Sequence, residues 1–268
     1  MNEQNLDYLS KQIKFTGFGE GHQDELKEKL QKKSPDFTIA HQQDFGKDNT
    51  TASLQFRKGA ESDMYFLNRY ELQLKNGPLG DAVKQTFYLS NKEDNITLKE
   101  AYNLLSGRSV NKELTTKEGE KYNAWVQLDF KTIDKNGQYE MKKFHQNYGF
   151  DIEKTLAKHP IKDLQNEGDK SKLMDSLQRG NRQSVTLQHE GKEQKVFIEA
   201  SPQFKSLNIY DSSMKRINAP SLYEKKGEGE STKVAVKKEA TKIKAGDDDE
   251  DGPKQTQKKS RKKGQGVS

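Results

Sequence analysis

The spacing of apolar positions changes character early in the chain. Leu6, Leu9 and Ile13 recur at intervals of three and four, which places them on one helical face. Gly17-Phe-Gly-Glu-Gly21 interrupts this pattern and reads as a helix-to-helix turn, with Phe18 as a plug into the core. Leu26 and Leu30 predict a second helix over Gln23–Lys33, closed by Ser34-Pro35, because proline holds its predecessor in extended conformations. From Phe37 the period falls to two. Phe37 and Ile39 alternate with polar residues, as do Ala52, Leu54 and Phe56. Met64, Phe66, Tyr70, Leu72 and Leu74 are read on one parity, interrupted at Asn68. After the turn signal Lys75-Asn-Gly-Pro78, a further strand covers about Gln85–Leu89. One apolar parity per strand predicts an antiparallel meander with one covered face.

The second half contains two similar stretches. In the first, Thr97-Leu-Lys-Glu100 is a capping-box pattern, followed by the apolar stripe Leu98, Ala101, Leu104 and Leu105. Gly107 stops this helix as a left-handed cap. Val110 and Leu114 lead to a turn at Lys117-Glu-Gly119, and Tyr122, Ala124, Val126, Leu128 and Phe130 share one face of the return strand. The second stretch starts near Asp169, read as an N-cap. Leu173 and Leu177 share a face, Gly180 stops the helix, and Val185, Leu187, Val196, Ile198 and Ala200 form a hairpin about Glu190-Gly191. Both contain Leu-x-x-Gly, so an internal helix–hairpin repeat is expected. Between them, Asp151 is a candidate cap for a helix through Ala157.

The expected fold class is α+β. It comprises an N-terminal helix-plus-meander portion (1–90), a first helix–hairpin repeat (91–150), a second (151–223) and a disordered charged tail (224–268). All 23 aromatic residues lie in residues 1–223. The 45 residues of the tail carry only seven hydrophobic ones, too few to offset chain entropy.

Charge follows the same division. The chain has 47 basic and 41 acidic residues, net +6, of which the tail holds 13 and nine. The body is therefore close to neutral, with 34 basic and 32 acidic residues. In the tail an acidic block, Asp247–Asp251, precedes a basic one centred on Lys258, Lys259, Arg261, Lys262 and Lys263. Those five are the candidate nucleic-acid contacts, since clustered cations reach phosphates without reading sequence. The alternative for the same block is a solubilising tail.

Little points to catalysis. There is no cysteine, which excludes disulfides and thiolate chemistry. The histidines at 22, 41, 145, 159 and 189 have no metal-ligand spacing, so no metal, cofactor or catalytic residue is expected. The glycine run at 17–21 lacks the strand and lysine of a phosphate loop, and no Gly-x-Ser-x-Gly elbow occurs. An enzyme is not expected. No apolar run spans a bilayer and the first residues are polar, so a cytoplasmic protein without a membrane partner is expected. The single tryptophan, Trp125, has parity opposite to Ala124 and Val126. Either a second layer covers it or it forms an exposed aromatic platform. Arg108 beside Gly107, and Arg179 and Arg182 beside Gly180, flank the two glycine stops. With Trp125 they make a candidate interaction surface.

The segments Asn95-Ile-Thr-Leu-Lys-Glu-Ala-Tyr-Asn-Leu-Leu-Ser-Gly-Arg-Ser-Val110 and Glu118-Gly-Glu-Lys-Tyr-Asn-Ala-Trp-Val-Gln-Leu-Asp129 resemble a domain family of Bacteroidota whose activity is uncharacterised. So do Ser176-Leu-Gln-Arg-Gly-Asn-Arg-Gln-Ser-Val185 and Phe197-Ile-Glu-Ala-Ser-Pro-Gln-Phe204. The resemblance covers roughly residues 1–217. It implies repeated modules encoded on conjugative elements, sometimes beside topoisomerase-type domains. The expected function is a non-enzymatic accessory protein of mobile-element DNA metabolism. It would bind nucleic acid weakly or dock onto a DNA-processing protein. The alternative is a protein-interaction or inhibitor module with no nucleic-acid role.

Overall fold

The computed structural model describes residues 2–78, 80–90, 94–189 and 191–217. The tail expected from residue 224, with Lys258, Lys259, Arg261, Lys262 and Lys263, lies outside the described residues. The described part is a mixed α+β structure of five α-helices and three antiparallel sheets.

Helix α1 (Glu3–Ile13) starts where the Asn2 side chain accepts from the Asn5 backbone N–H. It buries Leu9 and Ile13. The fully internal Asn5 accepts from the Tyr65 N–H and donates to the Tyr65 carbonyl, at 2.7 and 2.9 Å. A buried amide is tolerated here because it completes the backbone pairing of a neighbouring strand. A π-helical turn over Lys14–Phe18 continues α1, and Gly17 at φ +98° breaks the winding. Phe18 is thereby driven inward, edge-on to Tyr70 and His41. Helix α2 (Gln23–Gln31) buries Leu26 and Leu30.

Strands β1 (Asp36–Phe45), β2 (Asp48–Lys58), β3 (Tyr65–Leu74) and β4 (Val83–Tyr88) form the first sheet in that spatial order. Its inner face presents Ile39, Leu54, Tyr70, Leu72 and Phe87 to α1, α2 and the helix that follows. The parity read for β3 from sequence is corrected here. Gln55 pairs with Arg69 but Phe56 with Leu67, so Asn68 is an extra, bulged residue. A bulge exchanges the two faces of a strand. Before it Tyr65 and Leu67 point inward, after it Tyr70, Leu72 and Leu74, and Phe66 is left on the outer face.

Helix α3 (Leu98–Leu105) has the full capping box: Thr97 Oγ1 accepts from the Glu100 N–H, and the Glu100 carboxylate accepts from the Thr97 N–H. Strands β5 (Val110–Thr115), β6 (Lys121–Ile133) and β7 (Tyr139–His145) form the second sheet. Helices α4 (Ile152–Leu156) and α5 (Glu167–Gln178) follow. Asp151 caps α4 as expected. Asn166, not Asp169, caps α5, its Oδ1 accepting from the Asp169 N–H. The third sheet has the order β11-β10-β9-β8, from β8 (Gln183–His189), β9 (Lys192–Ser201), β10 (Ser206–Tyr210) and β11 (Arg216–Ile217).

Two hydrophobic cores result. The first joins α1, α2, the first sheet and α3 with Val126 and Leu128 of β6. The second joins α4, α5 and the third sheet with Trp125 of β6 and Phe144 of β7. Strand β6 thus serves one core with each face, as its two-residue period allows.

Candidate functional site

The second glycine stop packs against the chain that leaves the first. Gly107 and Gly180 both have φ +80°, where only glycine is unstrained. A Cβ on Gly180 would sit 2.8 Å from the Ser109 carbonyl oxygen and 3.1 Å from Asn103 Cβ. The fully buried Asn103 of α3 ties this junction together. Its Nδ2 donates to the Arg179 carbonyl at 2.7 Å and to Asn181 Oδ1 at 3.0 Å. Its Oδ1 accepts from Arg108 Nη2 at 2.6 Å.

The four residues expected to form a surface have different fates. Arg108 lies at the junction with its guanidinium 4.9 Å from the Tyr102 ring centroid, and its Nε is buried without a hydrogen-bond partner. Arg179 is exposed, and its side chain has no hydrogen bond or ion pair among the described residues. Arg182 turns into the third sheet. Its Nε donates to the buried Glu199 at 2.7 Å, and its guanidinium lies 4.7 Å from the Tyr210 ring centroid. Tyr210 donates to the other Glu199 oxygen, and burial together with that carboxylate pushes the phenol up to about 12. Arg182 therefore neutralises an internal carboxylate. Trp125 is 6% exposed and edge-on to Phe150. Of the two readings for it, the covering layer is what occurs, because α4, α5 and the third sheet close over that face of β6.

Beside the junction is a cleft of about 490 Å³. Gln43 and Phe45 line one side, Lys99 at the start of α3 another, and Arg179 and Asn181 a third. Phe45 stacks on Tyr102 with centroids 4.2 Å apart, and Lys99 Nζ sits 4.4 and 4.6 Å from those two centroids. Lys99 has no hydrogen bond or ion pair among the described residues. Burial, and then the neighbouring Arg108 charge, hold its ammonium below the ordinary lysine value. Asp48 is the nearby acid and accepts from the Tyr102 hydroxyl at 2.7 Å. Burial and that bond raise the Tyr102 phenol. Glu100 is already matched by Lys112 at 2.9 Å.

A second surface is the outer face of the first sheet. Thr38, Gln55, Arg69 and Tyr88 lie in one row across all four strands. Tyr88 is 70% exposed, and Arg69 lies 5.8 Å from its ring centroid while donating to Gln55 Oε1 at 2.7 Å. The adjacent row holds Asp36, Arg57 and Phe66, the last 37% exposed. Sequence reasoning missed this pairing of aromatics with arginines because it carried one parity through Asn68, without the bulge, and so placed Phe66 in the core. The signal was present in the interruption at Asn68 itself. The face also carries acids: Glu71 pairs with Lys84 at 3.5 Å, and Asp36 is opposite Arg57.

His22 Nε2 and His41 Nδ1 are 2.9 Å apart, a contact between the residue preceding α2 and β1 that no local spacing signals. Among the described residues no group of three or more His, Cys, Asp or Glu side chains is placed to hold a metal ion. No described helix is long and apolar enough to cross a membrane. No family model, curated protein or solved structure matches this chain.

Proposed function

We propose that this chain is a non-enzymatic accessory module that binds single-stranded nucleic acid across the outer face of its first sheet. The observation that carries this reading is the row Gln55–Arg69–Tyr88 with Phe66 and Arg57 beside it, on a face that other elements leave open. Exposed rings can stack on bases whatever their sequence, at roughly 1–3 kcal/mol per base, while arginines meet phosphates. The resemblance to proteins of conjugative elements supplies the setting, mobile-element DNA metabolism in the cytoplasm, with docking onto a DNA-processing protein as a compatible role. The two helix–glycine–hairpin segments are, in this reading, copies of one unit. The matching φ of their glycine stops supports that. The basic cluster Lys258–Lys263 would add phosphate contacts.

Anisotropy titrations with a single-stranded and a duplex oligonucleotide of equal length test this. Tyr88→Ala and Arg69→Ala should each weaken single-strand binding about tenfold and affect duplex binding less. Deleting 252–268 should reduce the salt dependence of both. Absence of binding at low salt would overturn the proposal. The acids on the same face, Asp36 and Glu71, favour a second reading as a protein-docking face. Capture from the native host by the parent but not by Tyr88→Ala, with no oligonucleotide binding by either, would select it.

A further inference from the structure

We propose that the cleft between α3 and the end of α5 is a binding site for a terminal phosphate, a phosphomonoester or inorganic phosphate dianion. It is separate from the sheet face and does not depend on it. Thr38 and Phe45 are seven residues apart on β1, so the Tyr88 row and the cleft lie roughly 20 Å apart along the strand.

Three cations gather here without an anion for each. Lys99 and Arg108 approach the same Tyr102 ring, at 4.6 and 4.9 Å from its centroid. Lys99 and Arg179 line the cleft itself. Two of these three have no hydrogen bond or ion pair among the described residues, and the third has a buried, unpartnered Nε. Lys99 and Arg179 are exposed and meet water in the free protein, whereas the buried Arg108 Nε is the kind of orphaned donor that a ligand or ion completes. Glu100 also lines the cleft but is balanced by Lys112, and among the described residues Asp48 is the acid that acts on Lys99. Three positive charges against one leave an excess of two, matched by a dianion and not by the single charge of a backbone phosphodiester. Asn181 and Gln43 add neutral amide groups to the wall. A space of about 490 Å³ admits a mononucleotide as well as free phosphate. Phe45 of the cleft wall stacks on Tyr102, and the Lys99 ammonium and Arg108 guanidinium rest over these rings, so those two charges are held in place before a ligand arrives.

The full-length protein should be titrated at constant ionic strength with inorganic phosphate, adenosine 5′-monophosphate, and an oligothymidylate carrying either a 5′-phosphate or a 5′-hydroxyl. Amide and side-chain NMR shifts report the site. The phosphate, the nucleotide and the phosphorylated strand should perturb the resonances of Lys99, Arg108 and Arg179, and chloride should not. Lys99→Gln and Arg179→Gln should each weaken phosphate binding about tenfold, as loss of one charge-assisted contact predicts. Lys99→Glu should abolish it while raising the thermal midpoint without phosphate, because a carboxylate there relieves the crowding of cations. Tyr88→Ala should leave phosphate binding unchanged, so failure of the sheet reading does not disturb this one. Equal perturbation by the 5′-hydroxyl strand would overturn the preference for a terminal phosphate. Shifts that chloride reproduces, or a Lys99→Glu protein that melts lower than the parent, would overturn the site.

Discussion

Asn103 is the side chain on which most depends. Both its amide protons and its Oδ1 oxygen have partners, Arg108 nearby in the chain and Arg179 and Asn181 far along it. Asn103→Ala should destabilise by about 2–4 kcal/mol, since it unpairs the Arg179 carbonyl, Asn181 and the Arg108 guanidinium at once. Urea denaturation would measure it. Arg182→Ala should cost about 3 kcal/mol by a different route, leaving Glu199 buried and uncompensated. The pairing should appear in a double-mutant cycle, with Arg182→Ala milder in a Glu199→Gln background. The histidines set the pH response. Burial, with His22 nearby, holds His41 below its ordinary value, and burial with Lys158 does the same for His159. The unfolded chain then takes up protons first. Stability is fully present above about pH 6.5 and is lost as pH falls from there toward the lower folded values. Thermal melts from about pH 7.5 to 5 should show this decline, and His41→Gln should flatten part of it.

Among the elements, the glycine stops are similar in backbone and different in surroundings. Gly107 has nothing closer than 3.8 Å to where a Cβ would stand, whereas Gly180 faces the Ser109 carbonyl at 2.8 Å. Gly107→Ala should cost about 1 kcal/mol from left-handed strain alone. Gly180→Ala should cost more, roughly 2–4 kcal/mol, because backbone must also move. Equal melting points for the two variants would contradict the junction described above. The elements were also the most legible part of the chain. The Thr97 capping box, the Asp151 cap and the inward parity of Ala52, Leu54 and Phe56 all stand in the structure as local spacing predicts. Local spacing failed where the chain departs from regular geometry or meets itself at long range. The Asn68 bulge reversed the faces of β3, and Asn166 took the cap assigned to Asp169 three residues later. The cleft was half legible: Arg108 and Arg179 were singled out, but Lys99 and Asn103 are ordinary helix residues until α5 arrives beside them. No pattern along one strand can show that Phe45 stacks on Tyr102, 57 residues further on.

At the scale of the molecule, the two cores meet on β6, with Val126 and Leu128 on one side and Trp125 on the other. Unfolding should therefore be a single transition. Trp125 fluorescence, which reports the second core, and circular dichroism, which reports every helix and sheet, should give coincident curves in urea. Leu177→Ala, which opens a cavity in the second core, should lower both midpoints together, a loss of about 2–5 kcal/mol. Vectorial synthesis makes the same strand awkward. When residues up to His145 have left the ribosome, the first core has all its parts, yet Trp125 and Phe144 still await Leu156, Leu177 and Ile198. Over that interval the nascent chain carries an apolar sheet face turned to water, the kind of surface that chaperones bind and that aggregates when they do not. Holding the nascent chain with residue 150 just outside the ribosome should lengthen that exposure, and holding it with residue 217 outside should not.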